Sequence, residues 1–179
     1  MEGHSLNESH PKYGPAAYKA ILEKLQSTNS VILSEKRKLD TDPKMYAKKV
    51  ILKIDSLHSF GVPYDQISIV GTSQGGYIGQ YISYYAKNTD LKFVFIGSSF
   101  KNDSMNEDRN FRLYGKILSI NEKTDVGAEL LSRQLRFKNS DLKVFKEITL
   151  NTGLKHGFLF RALDEWIIPA KAWINSNNL

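Results

Sequence analysis

The sequence predicts an α/β fold, a three-layer α/β/α sandwich around a mostly parallel sheet of about five to six strands. Three observations predict it. Stretches with apolar residues every three or four positions alternate with short apolar runs, spaced far enough apart for right-handed helical crossovers. The short runs are almost continuously apolar, as strands covered by helices on both faces must be. Finally, a serine flanked by glycines stands where one such run gives way to a helical pattern.

Taken in order, "AAYKAILEKLQ" puts Tyr18, Ile21, Leu22 and Leu25 on one helical face, and "SVILS" reads as a short buried strand. Asp42 and Pro43 form an N-cap and a first-turn proline for a helix in which Tyr46, Val50, Ile54 and Leu57 recur and which Gly61 ends. "QISIVG" is the next strand. "GGYIGQYISYYA" is the next helix, with Ile78, Ile82 and Tyr85 along one face. "LKFVFIGSS" and "GKILSIN" are further strands, "GAELLSRQL" a short helix and "FKEITLN" the last strand. "FRALDEWIIPAKAWI" closes the chain as a helix with Leu163, Trp166, Ile167, Ala170 and Trp173 inward. At 179 residues the chain suits one domain over residues 1–179.

Composition narrows the function. The 41% hydrophobic and 25% charged content is that of an ordinary globular chain, and no run approaches ~18 apolar residues, so no membrane span is expected. The start, "MEGHSLNESHPKYG", lacks the apolar stretch of a signal peptide. Read from Met1, the chain is expected in the cytoplasm; a targeting segment ahead of Met1 would change that. There is no cysteine, which excludes disulfides, thiolate metal sites and a cysteine nucleophile. The net charge of +6 comes from lysines scattered among acids, as in "SEKRKLDTDPK", with no basic block and no nucleic-acid-binding motif. A solvated lysine-rich surface is therefore expected rather than a nucleic-acid partner.

In a parallel sheet, chemistry gathers at the carboxyl ends of the strands. These are residues 34–35, 71–76, 97–100, 121–125 and 151–156. The second segment, "GTSQGG", fails as a phosphate-binding loop because Tyr77 and Ile78 stand where a lysine and a hydroxyl residue are needed. It fails as a dinucleotide fingerprint because Gly75, Gly76 and Gly79 have the wrong spacing. It fits a nucleophile elbow. Gly71 and Gly75 remove Cβ atoms from a sharp strand-to-helix turn, which lifts the Ser73 hydroxyl above the sheet and aims the Gln74 amide at a developing oxyanion.

A serine hydroxyl needs a base, and the base an orienting acid, in the chain order serine, acid, histidine. Of the four histidines, His4 and His10 precede the serine, and His58 lies at a helix end, where a capping or surface role is expected. His156 follows the serine, in "NTGLKHGF" after the last strand. The acid lies in "SINEKTDVGAEL", where both Asp125 and Glu122 are available. Asp125 is preferred because a few residues of loop let it reach the histidine; it would also suit the N-cap of a helix beginning near Gly127.

These motifs carry a family resemblance. In their order, "GTSQGG", "INEKTD" and "GLKHGF" resemble the α/β-hydrolase superfamily. "HPKYGPAAYKAILEKL", "VILSEKRKLDTD", "LYGKILSIN" and "TGLKHGFLFRALDEWIIPAKAWI" look like a group of small serine hydrolases within it. "SQGG" is also similar to the elbow of the carboxylesterase and acyl-protein thioesterase branch. The resemblance implies Ser73 as nucleophile, His156 as base and Asp125 as acid, with no cofactor and no metal. It places the second oxyanion donor at the backbone of Gly3 or His4. The pattern departs at the front, where Glu2 and Gly3 stand in place of a His-Gly pair, with almost no strand ahead of them. Larger relatives insert a helical lid where this chain has only "KNDSMNEDRNFR", so an open site is expected.

The sequence therefore points to a serine hydrolase acting on a small-molecule or surface-presented acyl substrate, an ester or a thioester. Two other readings share the same residues. An amidase or peptidase would use the same triad, and a non-catalytic hydrolase-fold module would bind a ligand without turnover.

Overall fold

The computed structural model describes residues 9–35, 37–38, 40–138 and 140–176. Two short strands, β1 (Ser9–His10) and β2 (Gly14–Pro15), form a small antiparallel hairpin. Helix α1 (Tyr18–Leu25) follows, then an irregular connection to α2 (Pro43–Ser59). The sheet consists of β3 (Ser68–Thr72), β4 (Lys92–Ile96), β5 (Tyr114–Glu122) and β6 (Asp141–Leu150), all parallel and in the order β3-β4-β5-β6. Helix α3 (Gln74–Ala86) joins β3 to β4, the single-turn α4 (Leu135–Lys138) precedes β6, and α5 (Asp164–Asn175) closes the described chain.

The sheet separates two apolar clusters. On one face Ala47 and Ile54 of α2 and Ile78 and Ile82 of α3 pack on Phe93, Phe95 and Ile117. On the other, Trp166, Ile167, Ala170 and Trp173 of α5, with Ile21 and Leu25 of α1, cover Val94, Ile96, Leu118 and Ile120. Successive residues of β4 alternate between the clusters and all five are buried, which is why this strand reads as one apolar run. Leu163 stands at the N-cap of α5 rather than within it.

The architecture is α/β, as the sequence predicts, but the sheet has four strands among the described residues, not five or six. The missing strand is "SVILS". Residues 30–34 take no regular structure, and Val31 and Leu33 are 84% and 70% exposed. A short apolar run becomes a strand only if a neighbouring edge receives its backbone N–H and C=O groups. This segment is tied sideways instead. Glu35 pairs with Lys49 and Lys53 of α2 at 2.8 and 2.5 Å, and the Tyr18 hydroxyl bonds to Ser34. Among the described residues the serine-bearing strand β3 therefore lies at the sheet edge.

The expected helix over "GAELLSRQL" is reduced to a 3₁₀ turn at Leu131–Arg133 followed by α4. Its backbone donors and acceptors are engaged elsewhere. Glu129 N–H donates to Ser99 O at 3.0 Å, Gly127 O accepts from Lys101 N–H at 3.3 Å, and Leu131 N–H donates to the Glu147 carboxylate of β6 at 2.7 Å.

Asp42 caps α2 as read from the sequence, its carboxylate accepting from Met45 N–H at 2.7 Å with Pro43 in the first turn. Asp42→Ala is expected to cost about 1 kcal/mol. For a chain of this size that lowers Tm by about 2–4 °C, read by thermal melting.

Candidate active site

Ser73 sits between β3 and α3 at φ 49° and ψ −122°, a left-handed φ that costs a residue with a Cβ roughly 1–3 kcal/mol. The surroundings hold it there. Ser73 N–H donates to Ile96 O of β4 at 2.8 Å, and Ser73 O accepts from Tyr77 N–H one turn into α3 at 3.0 Å. Two of the glycines around it, Gly71 and Gly76, are steric requirements. A Cβ on Gly71 would lie 2.3 Å from the Gly75 carbonyl carbon and 2.4 Å from the Gly76 nitrogen. One on Gly76 would lie 2.4 Å from Ser98 Oγ and 2.8 Å from Gly71 O. At Gly75, by contrast, a Cβ would meet only the Arg37 guanidinium at 3.4 Å, an ordinary contact. The second glycine needed for close approach is thus Gly76, not Gly75, because it faces the strand while Gly75 faces outward.

The turn brings the serine to the predicted histidine. Ser73 Oγ and His156 Nε2 are 3.0 Å apart, and His156 Nδ1 lies 2.6 Å from Asp125 Oδ2. A carboxylate can only accept, so His156 holds its proton on Nδ1. Nε2 then turns its lone pair to the Ser73 hydroxyl, which donates to it. The Asp125 side chain is 11% exposed and that of His156 23%, so the pair is shielded while the imidazole stays reachable.

His156 stands in a 3₁₀ segment, Lys155–Phe160, directly after β6. The front of the chain braces it. The Tyr13 ring lies so close over Gly157 that a Cβ there would be 2.8 Å from it, and Ala17 N–H donates to Phe160 O at 2.8 Å. Asp125 follows β5 in a tight turn, its N–H on Glu122 O at 3.1 Å. No helix begins at Gly127, so Asp125 caps none.

The remaining candidates fall as follows. Gln74 opens α3, and its N–H is among the first-turn donors that helix geometry leaves without an intrahelical acceptor. Gly3 and His4 lie outside the described residues. The Glu122 carboxylate contacts Thr124 and Thr152, whereas Asp125 contacts His156. Burial pushes the Glu122 carboxyl up, but the donors of Thr152 and Thr124 outweigh it and hold it below the usual carboxylate range. His10 Nδ1 accepts from Lys12 and Tyr13 N–H, and His58 Nδ1 donates to Val62 O at 3.1 Å while its ring stacks on Tyr64.

Sequence reading did not single out Phe100, whose ring centroid is 6.4 Å from that of His156. It makes an antiparallel bridge to Ala128, joining the loop after β4 to the one after Asp125. Its position just after "FIGSS", at a strand's carboxyl end, is the signal that could have found it. The connection after β4 is packed rather than loose, with Met105 and Phe111 buried. Among the described residues no three His, Asp or Glu side chains are grouped to hold a metal ion, and no helix is long and apolar enough to cross a membrane.

A parallel sheet between helical layers, with a strained serine turn between its first parallel strand and the next helix, defines a fold of the α/β-hydrolase type. The fold is similar to that in the crystal structure of a single-substitution variant of Arabidopsis thaliana SOBER1. The TM-score is 0.57 and the identity 16%, with 97% of this chain and 96% of that chain covered. No protein-family model matches the sequence, and no curated protein matches it.

Proposed function

We propose that this chain is a serine hydrolase that cleaves carboxylic esters or thioesters through an acyl-enzyme on Ser73. The observation that carries the reading is the line from Asp125 Oδ2 to His156 (2.6 Å) and from His156 to Ser73 Oγ (3.0 Å), on a serine held in a strained turn. Ser73 Oγ attacks the acyl carbon and its proton passes to His156 Nε2, while Asp125 stabilises the imidazolium. The carbonyl oxygen becomes an oxyanion held by Gln74 N–H and, in this reading, by a backbone N–H at Gly3 or His4. Collapse expels the alkoxide or thiolate, which takes the proton from His156. Water then gives a proton to His156 and attacks the acyl carbon; the acid leaves and Ser73 regains its proton. The connection over residues 100–112 holds a single 3₁₀ turn, Ser104–Asn106, and no α-helix that could serve as a lid, which favours small or surface-presented acyl groups.

The test is intact-mass analysis after treatment with a fluorophosphonate. One adduct on the wild type, and none on Ser73→Ala or His156→Ala, is the expected result. A folded wild type that takes no adduct would sink the reading and favour a ligand-binding module, seen as thermal stabilisation by ligand without turnover.

A further inference from the structure

The Asp125–His156 contact joins two loops that leave neighbouring strands separately, so something must hold them in register. Glu122, the last residue of β5, is 2% exposed and lies at the base of both loops. One carboxylate oxygen accepts from Thr124 twice, from N–H at 3.2 Å and from Oγ1–H at 2.9 Å. The other accepts from Thr152 twice, from N–H at 3.0 Å and from Oγ1–H at 2.9 Å. Thr124 immediately precedes Asp125, and Thr152 opens the turn to His156.

The two hydroxyls pass the connection on. Thr124 Oγ1 accepts from Lys155 N–H at 3.1 Å, crossing from the acid's loop to the residue before the base. Thr152 Oγ1 accepts from Leu154 N–H at 3.3 Å. Lys155 is held at φ 53°, a conformation that persists only where surrounding bonds impose it. Each threonine hydroxyl accepts from a loop N–H and donates to a Glu122 oxygen, so its proton is oriented and the two bonds reinforce one another.

We propose that Glu122 is a positioning residue: its carboxylate clamps the Asp125 loop through one oxygen and the His156 loop through the other, and so sets the Asp125–His156 contact. This role rests on the hydrolase reading above. The clamp requires a carboxylate. A glutamine keeps the shape, but its NH₂ would face a backbone N–H and a hydroxyl held for donation, leaving one loop unclamped.

The experiment compares wild type, Glu122→Gln and Thr152→Val by three readouts: the rate of fluorophosphonate modification, Tm, and the His156 Nδ1–H resonance in ¹⁵N-histidine-labelled protein. For Glu122→Gln the expected result is modification slowed by about 10–100-fold in protein that remains folded, with the resonance shifted or lost. Thr152→Val should move both readouts the same way, by less. A fall in Tm with rate and resonance unchanged would make Glu122 merely structural and overturn the proposal. If Glu122→Gln does not fold, Thr152→Val decides by the same readouts. If the wild type takes no label, the hydrolase reading fails, and the resonance alone decides whether Glu122 sets the contact.

Discussion

Asp125→Asn is expected to leave the fold intact and to lower kcat on an activated ester by about ten-thousand-fold. The substitution is nearly isosteric, so the loop has no steric reason to move. What changes is the direction of one hydrogen bond. The carboxylate 2.6 Å from His156 Nδ1 can only accept, which keeps the imidazole proton there and leaves Nε2 basic toward Ser73. An asparagine can turn its NH₂ to Nδ1, which places the imidazole proton on Nε2. Two donors, Nε2–H and the serine O–H, would then face each other, and no base remains to activate the hydroxyl. Steady-state kinetics with p-nitrophenyl acetate, beside a thermal melt, measures the effect. A variant that keeps most of the wild-type kcat would remove Asp125 from the acid's role.

That substitution also separates the two acids the sequence left available. Asp125 and Glu122 occupy one short stretch, and spacing alone cannot say which reaches His156, because the loop's path depends on what its backbone bonds to. The serine turn and the placement of His156 beside it were legible because their signals are local: a serine among glycines after a strand, and a histidine just beyond the last one. The partners of Glu122 were not, since Thr124 and Thr152 lie in different loops and meet only when β5 and β6 pair. The same limit explains the failures in the fold. "SVILS" has the residues of a strand, but a strand needs an edge to bond to. The helix expected over residues 127–135 was lost to bonds with β6 and the loop after β4, neither of them nearby in sequence.

The least legible feature carries the largest expected effect on stability. Asp103 lies in "KNDSMNEDR", a polar stretch of mixed charge, and Arg136 in "RQLRFK", yet their side chains are 1% and 0% exposed. Arg136 Nη2 is 3.0 Å from Asp103 Oδ2, Nε donates to Gln80 of α3 at 2.8 Å, and Nη1 donates to Asn106 at 3.2 Å. Gln80 in turn donates to Ser98 O at 3.0 Å, so the cluster joins the elbow helix to the loop after β4. Burial pulls the Arg136 guanidinium down while Asp103 opposes it, so the cation depends on its carboxylate partner.

Asp103→Ala strands that cation in a dry interior and should cost about 3–5 kcal/mol. Against a typical total of about 5–15 kcal/mol this is a large fraction, read as a Tm drop on the order of 10 °C. Removing both charges should cost less than removing one, because the penalty lies in the unpaired ion rather than in the lost attraction. Asp103→Leu combined with Arg136→Met is therefore expected to melt above Asp103→Ala. A double variant no more stable than the single would show that the guanidinium's bonds to Gln80 and Asn106, rather than its pairing with Asp103, hold this region together.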